Sequence, residues 1–204
     1  MLVDTNKIDV TISTIAVVTE PPQQALAIDQ KELEQILTRP LSVVQSPVAL
    51  VVSSQRDQLE AILSGNKTNI RDLSGRKTFS PSKIPTVLNF FIQKFVLQVI
   101  SYGVNFIVTV PCVQPAQWIA NNLISSPQVL KKTGLTPIGR TCVISVRSGR
   151  KTWNIKFEPI DDSTLNVDFN ASEETQQLPD VNTMHNELQE QFDGLLKFLN
   201  DLEL

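Results

Sequence analysis

The chain has 204 residues, of which 41% are hydrophobic and 19% charged, and its net charge is −3. This composition is typical of a globular protein and excludes an intrinsically disordered chain. Its apolar runs are too short to span a bilayer, and its first residues do not resemble a signal peptide, so we expect a cytoplasmic protein with no membrane partner. The two cysteines, Cys112 and Cys142, and the single histidine match no metal or redox motif, so we expect reduced cysteines, no metal and no cofactor.

The first half of the sequence predicts strands followed by a long helix. Alternating apolar residues from Ile8 onward indicate a strand, and Asp29 is a suitable N-cap for a short helix. The apolar run Val48–Val52 indicates a buried strand, and Gly65-Asn66 is a turn signal between two more strands. Residues Ile84–Ile100 are apolar on nearly every side, which predicts a long helix that is buried on more than one side.

The second half predicts the same order of elements. We expect a strand at Val104–Val110 and a short helix at Pro115–Ile124. Three strands should follow at Thr141–Arg147, Lys151–Glu158 and Thr164–Phe169, and a long helix at Asn182–Leu202. A turn near Gly149 would pair Val146 with Trp153 on one apolar face of a hairpin. The terminal helix carries one apolar stripe that would cover this face, which leaves the opposite face of the sheet polar.

The repeated order predicts an α+β fold built from two pseudo-repeats, residues 1–101 and 102–204, in one continuous folded unit. Both repeats would share a curved antiparallel sheet with the long helices packed on one face. This order of elements resembles the TATA-binding-protein-like fold over most of the chain. The segment Tyr102–Phe106, together with the Phe-rich and Leu-rich helices, is similar to an uncharacterised bacterial family of duplicated domains, a resemblance that implies no function.

Charge is segregated along the chain. Residues 73–157 contain eleven lysines and arginines and no acidic residue, whereas residues 158–204 contain twelve acidic residues and one lysine. The candidate anion-binding residues are Lys131, Lys132, Arg140, Arg147, Arg150, Lys151 and Lys156. Clustered positive charge of this kind is what a nucleic-acid-binding surface needs. The alternative is internal neutralisation, because the boundary at Glu158 falls within a predicted hairpin and both charge blocks must then share one folded unit.

The sequence contains no set of residues with a catalytic signature. His185 has no orienting carboxylate or nucleophile that the sequence places beside it, so we expect no catalytic residues and no enzyme activity.

We expect a binding or assembly module that contacts a protein partner, or a second copy of itself as a homodimer. One alternative is binding of nucleic acid or another polyanion through residues 131–156. The other is a carrier of a hydrophobic ligand, because the helix Ile84–Ile100 has more apolar surface than one sheet face requires.

Overall fold

The structure, a computed structural model, describes residues 7–80, 82–123 and 141–202. The elements within those ranges are, in chain order, β1 (Asp9–Thr19), α1 (Gln30–Leu33), β2 (Leu41–Ser46), β3 (Ala49–Ser54), β4 (Leu59–Ser64), β5 (Lys67–Asp72), α2 (Ile84–Lys94), β6 (Val99–Pro111), α3 (Pro115–Asn122), β7 (Cys142–Ser148), β8 (Lys151–Pro159), β9 (Thr164–Glu174) and α4 (Val181–Asp201). No helix in these ranges is long and apolar enough to cross a membrane.

The strands form one antiparallel sheet in the order β2-β3-β4-β5-β1-β6-β9-β8-β7. β1 and β6 pair at its centre, where Ile15 lies opposite Val104. Each of these two strands is followed by a short helix, further strands and a long helix, which is the order that the sequence predicted for the two halves. The division into repeats of residues 1–101 and 102–204 stays a prediction, and its boundary falls inside β6, which begins at Val99.

One face of the sheet, termed the packed face, carries the hydrophobic core. α2 and α4 cover it with their buried residues Ile84, Val87, Leu88 and Phe91, and Met184, Leu188, Phe192, Leu195 and Leu199. Phe106 of β6 lies at the centre of this layer, with the rings of Phe79, Phe169 and Phe192 at centroid distances of 5.5, 6.0 and 5.3 Å. The burial of these side chains supplies the main force that holds the helices on the sheet.

The predicted α+β class is confirmed, as is an antiparallel sheet with the long helices on one face. The predicted hairpin register is also correct, because β7 and β8 align Val146 with Trp153, Ile144 with Ile155 and Cys142 with Phe157. α4 begins as its sequence indicates. The Asp180 carboxylate accepts hydrogen bonds at 2.9 Å from the backbone N–H groups of Asn182 and Thr183, which satisfies donors that the helix itself leaves unpaired.

The predicted helix Ile84–Ile100 is wrong in its last third. α2 ends at Lys94, the chain turns at Val96, and β6 begins at Val99. The error arises because a continuous apolar run has no periodicity that separates a buried helix from a buried strand. The apolar surface that suggested a ligand cavity or a dimer contact on this helix is therefore divided among α2, a turn and β6.

The sequence prediction also missed β2, the edge strand of the first half. β2 pairs with β3, so that Leu41 lies opposite Ser54 and Ser46 lies opposite Ala49. Pro40 and Pro47 flank the two ends of β2. Proline is tolerated there because an edge strand does not need every backbone N–H for the ladder. The first half of the sheet therefore has five strands, one more than the second half has in the described residues.

Gly103 lies where β6 approaches β9 too closely for a side chain, because a Cβ at this position would come within 2.8 Å of the backbone oxygen of Ala171. Gly103→Ala is therefore expected to lower the free energy of unfolding by about 1–3 kcal/mol, since the two strands would have to separate to admit the methyl group. Urea unfolding measures the loss, with Ser172→Ala on the facing strand as the control that should leave stability within about 0.5 kcal/mol of wild type. An unchanged midpoint for Gly103→Ala would contradict the close approach.

Candidate functional site

The opposite side of the sheet, termed the open face, consists of the alternate strand residues that point away from the hydrophobic core. The strand register aligns them in rows across the sheet. The central row consists of Ser42, Ser53, Glu60, Arg71, Thr14, Asn105, Asn170, Asn154 and Ser145. Helices α1 to α4 contribute to the core on the packed face, so no described helix covers this row.

Three asparagines, Asn105, Asn170 and Asn154, are neighbours in this row. The Asn170 amide donates a hydrogen bond to Oδ1 of Asn105, and the Ser145 hydroxyl donates to Oδ1 of Asn154 at 2.6 Å. All three amides are only partly buried. A side-chain amide offers both donors and an acceptor, so the row can pair with either kind of polar group on a binding partner.

Aliphatic side chains flank the amide row. On the open face these are Ile12, Ala16, Val18, Val44, Val51, Ile62, Ile107 and Val143. Ile12 and Ile107 are cross-strand neighbours near the centre, and Val51 lies between Val44 and Ile62 on the β2 side. Among the described residues, none of these eight belongs to the hydrophobic core, and Val44 and Val143 are 67% and 61% exposed.

Opposite charges are interspersed on the open face. The charged residues that the described strands place there are the acidic Asp9, Glu60, Glu158, Asp168 and Glu174 and the basic Lys67, Arg71, Arg147 and Lys156. Arg71 pairs with Glu60 at 3.2 Å, and Lys156 pairs with Glu158 at 2.7 Å. Such partly exposed pairs add little stability, and the strands described give the face one more acidic residue than basic residues.

The fold changes the acidity of Asp168, which lies on the open face. Burial raises the pKa of its carboxyl, Lys156 on the neighbouring strand opposes that shift, and Glu158 adds to it. Lys156 directs its ammonium group to Glu158 instead, so Asp168 has only partial compensation for its charge. Ionised Asp168 is therefore unfavourable in the folded state.

Asp168→Asn is expected to raise the melting temperature at pH 7. Because the folded-state pKa is raised, the cost of ionised Asp168 is present above that pKa and disappears as the pH falls through it, so the gain should shrink toward pH 4. Thermal unfolding at the two pH values checks this prediction. Asp162→Asn, in an exposed turn, makes the same change in net charge and should show no comparable gain. An Asp168→Asn effect that does not depend on pH would contradict the assignment.

Of the seven predicted anion-binding residues, the structure describes four, and it places Lys151 on the opposite side of the sheet from Arg147 and Lys156. Lys131, Lys132 and Arg140 lie outside the described residues. Of the others, Arg147 is exposed on β7 at the edge of the open face, Arg150 is exposed in the β7–β8 turn, and Lys156 is paired with Glu158. Lys151 points to the opposite side, where it is buried.

Lys151 lies in a buried cluster on the packed face. Its ammonium group is 3.2 Å from a carboxylate oxygen of Glu173 on β9, 3.4 Å from one of Glu187 on α4, and 5.1 Å from the ring centroid of Tyr102. Burial, and secondarily the nearby Glu187, raise the pKa of the Tyr102 phenol, which stays protonated at neutral pH. This arrangement fastens the N-terminal half of α4 to the sheet and leaves Lys151 unable to bind an external anion.

The sequence contained a signal for this placement. In β8, Trp153, Ile155 and Phe157 face the packed side, so the period of two also places Lys151 there, and the same parity from Phe169 and Ala171 places Glu173 inward. The aliphatic residues of the open face were less accessible to prediction. Ile107 belongs to a run of apolar residues in which both faces look alike.

His185 lies on α4 and faces the segment before α2. Its Nε2 atom is 2.6 Å from the backbone oxygen of Ser82, a contact that joins α4 to the segment before α2. In the described ranges, no three side chains of histidine, cysteine, aspartate or glutamate are grouped so as to hold a metal ion. The candidate site with a defined surface is therefore the open face.

Comparison with known proteins gives a fold-level likeness only. No protein-family model matches the chain, and no curated protein matches it. Among solved structures the chain is similar to Methanococcus jannaschii TBP, with a TM-score of 0.36 and 11% sequence identity over 92% of this chain and 98% of that one. The similarity is one of topology.

Proposed function

We propose that this chain is a non-enzymatic binding module that docks a protein partner on its open face. The observation that carries the proposal is the set of aliphatic side chains on a sheet face that no described helix covers. Apolar groups in contact with water are unfavourable, and apolar patches rimmed by polar residues mark interaction surfaces in soluble proteins. Ile12, Ile107 and Ile62 are the residues expected to lie near the centre of the contact.

The chemistry of the open face supports a protein over a nucleic acid. Nucleic-acid interfaces are strongly positive, whereas this face intersperses opposite charges and has one more acidic residue than basic residues on its described strands. Aliphatic contacts with amides between them match the mixed composition of protein interfaces. Asn105, Asn154 and Asn170 supply hydrogen-bonding groups that can pair with either side chains or backbone of a partner.

The polyanion alternative depends on exposed Arg147 and Arg150 together with the basic residues outside the described ranges. This alternative predicts that the protein binds duplex or single-stranded DNA or RNA, with an affinity that falls steeply as the salt concentration rises. Filter binding over a salt series tests it. Binding that is absent at low salt removes this alternative, and binding abolished by Arg147→Glu with Arg150→Glu would favour it over a protein partner.

Site-specific photo-crosslinking tests the proposed function. A photoreactive phenylalanine analogue replaces Ile107 on the open face, and in a matched control it replaces Asn186 on the exposed side of α4. In cells of the source organism, we expect a discrete adduct at position 107 that protease removes and nuclease does not. An adduct that nuclease removes, equal labelling at both positions, or no adduct at position 107 would contradict docking of a protein on the open face.

A further inference from the structure

A groove lies where the chain passes from α2 into β6. It has a volume of about 1180 Å³ and runs between the turn after α2 and the segment that links β9 to α4. Its apolar lining includes Ile92, Leu97, Ile100 and Leu178, and Ile100 is 48% exposed. Pockets for small ligands occupy about 300–1,000 Å³, so an open groove of this size accommodates an extended chain segment better than a small molecule.

Val96, at the turn after α2, is unusual in two respects. It is 79% exposed, and its backbone has a φ of 49°, in the left-handed region. A left-handed residue after a helix is ordinarily glycine or asparagine, and a β-branched side chain there is strained. Val96 lines a second pocket that shares Glu20, Leu97 and Gln98 with the groove, so the strained residue borders the same surface.

The groove is acidic. Glu20 and Glu174 lie on its lining, both are exposed, and neither forms an ion pair with the described part of the chain. None of the described residues that line either pocket is lysine, arginine or histidine. A ligand that fits this surface carries positive charge beside apolar groups, because its charge would compensate the two carboxylates.

We propose that this groove binds a short segment of a protein partner in which aliphatic residues are flanked by lysine or arginine. The aliphatic side chains pack on Leu97, Ile100 and Leu178, the basic side chains pair with Glu20 and Glu174, and Val96 projects toward the ligand as an apolar contact. Backbone strain at an exposed residue is retained where it serves a function, and this role gives Val96 one. Glu174 lies at the margin of the open face, and the proposal does not depend on what binds on the rest of that face.

The test begins with a random peptide library displayed on phage and selected on the intact protein. Enriched peptides are synthesised with a fluorescent label, and their affinities are measured by anisotropy against wild type and variants. We expect enriched sequences that combine aliphatic residues with lysine or arginine, and an affinity that falls as salt rises. Enrichment of no sequence family, or of a family without basic residues, would overturn the proposal.

Charge-reversal variants locate the binding. The double variant Glu20→Lys, Glu174→Lys is expected to weaken the enriched peptide by at least about tenfold, through repulsion in place of attraction. The matched control, Glu190→Lys with Asp193→Lys, makes the same change in net charge on the exposed side of α4 and should leave affinity unchanged. Equal effects of both pairs would show that only net charge matters and would overturn the assignment to the groove.

Val96→Asn separates ligand contact from protein stability. Asparagine tolerates the left-handed conformation, so we expect the melting temperature to rise by about 2–4 °C while the affinity for the peptide falls. A loss of affinity in a more stable protein cannot come from unfolding. Unchanged affinity would remove Val96 from the contact and overturn that part of the proposal.

If light scattering showed that the Glu20→Lys, Glu174→Lys variant changes the oligomeric state, the occupant would be a second copy of the chain and the proposal would fail.

Discussion

Phe106→Ala is expected to lower the free energy of unfolding by about 3–5 kcal/mol, the largest loss expected from truncating a single core side chain. Phe106 is fully buried at the centre of β6, and it contacts aromatic rings from the segment before α2, from β9 and from α4. Its removal leaves a cavity at the point where both halves of the sheet and the terminal helix meet. The surrounding rings are held by their own strands and helix, so they can fill only part of the space.

Chemical denaturation measures this loss directly. The matched control is Phe198→Ala, because Phe198 lies on α4 and is only partly buried, so its truncation should cost less than half as much. A decrease of the same size for both variants would contradict the central position of Phe106. A decrease below about 1 kcal/mol for Phe106→Ala would show that the core is more loosely packed than the ring contacts indicate.

Lys151→Ala is expected to have the second largest effect, a loss of about 3 kcal/mol. The substitution leaves the carboxylates of Glu173 and Glu187 close together and mostly buried, with side-chain exposures of 19% and 18%, and no cation between them. Removal of one partner from a buried ionic cluster ordinarily costs about 3–5 kcal/mol, and the remaining exposure of the carboxylates places this case at the lower end.

The electrostatic origin of that loss can be separated from lost packing. Adding Glu173→Gln and Glu187→Gln to Lys151→Ala removes the repelling charges, so the triple variant should recover much of the stability. If the triple variant is no more stable than Lys151→Ala, the contribution of Lys151 is packing on Tyr102 and not charge.

The sequence predicted the parts of the fold that repeat with a clear period. Trp153, Ile155 and Phe157 alternate strictly, so the hairpin register and the packed face of β8 follow from them. The apolar stripe of α4 has the helical period, and all the buried residues of the helix belong to that stripe. In both cases one side of the element is polar, and this contrast is what makes the pattern informative.

The end of α2 could not be predicted, because its signals are absent from the sequence. The chain turns at Val96, where a glycine or asparagine would ordinarily mark the end of a helix. The residues that follow are as apolar as the helix, although Val99 and Ile100 belong to β6.

The open face was only partly predicted for a related reason. The amides and charges of this face could be predicted from the alternation of polar residues. Ile107 and Ile62 could not, because their strands carry apolar residues on both sides.

The basic and acidic blocks that are separate in the sequence come together in the folded protein. Basic residues from the acid-free stretch pair with acids from both flanking blocks, as in Lys83 with Asp57, Lys94 with Glu32, and Lys151 with Glu187. These pairs join segments that are distant in sequence, so the structure favours internal compensation for the described bases that form them. The open face, whose composition is mixed, is therefore not a basic surface in the strands described.

The central claim is that the open face is accessible to a partner, and hydroxyl-radical footprinting of the isolated protein tests it most directly. Ile12, Ile62 and Ile107 on the open face should be oxidised faster than Ile15, Ile70 and Ile155, which are fully buried on the packed face of the same sheet. Equal protection of the two sets would mean that the open face is already covered by the chain itself, and would contradict its assignment as a docking surface.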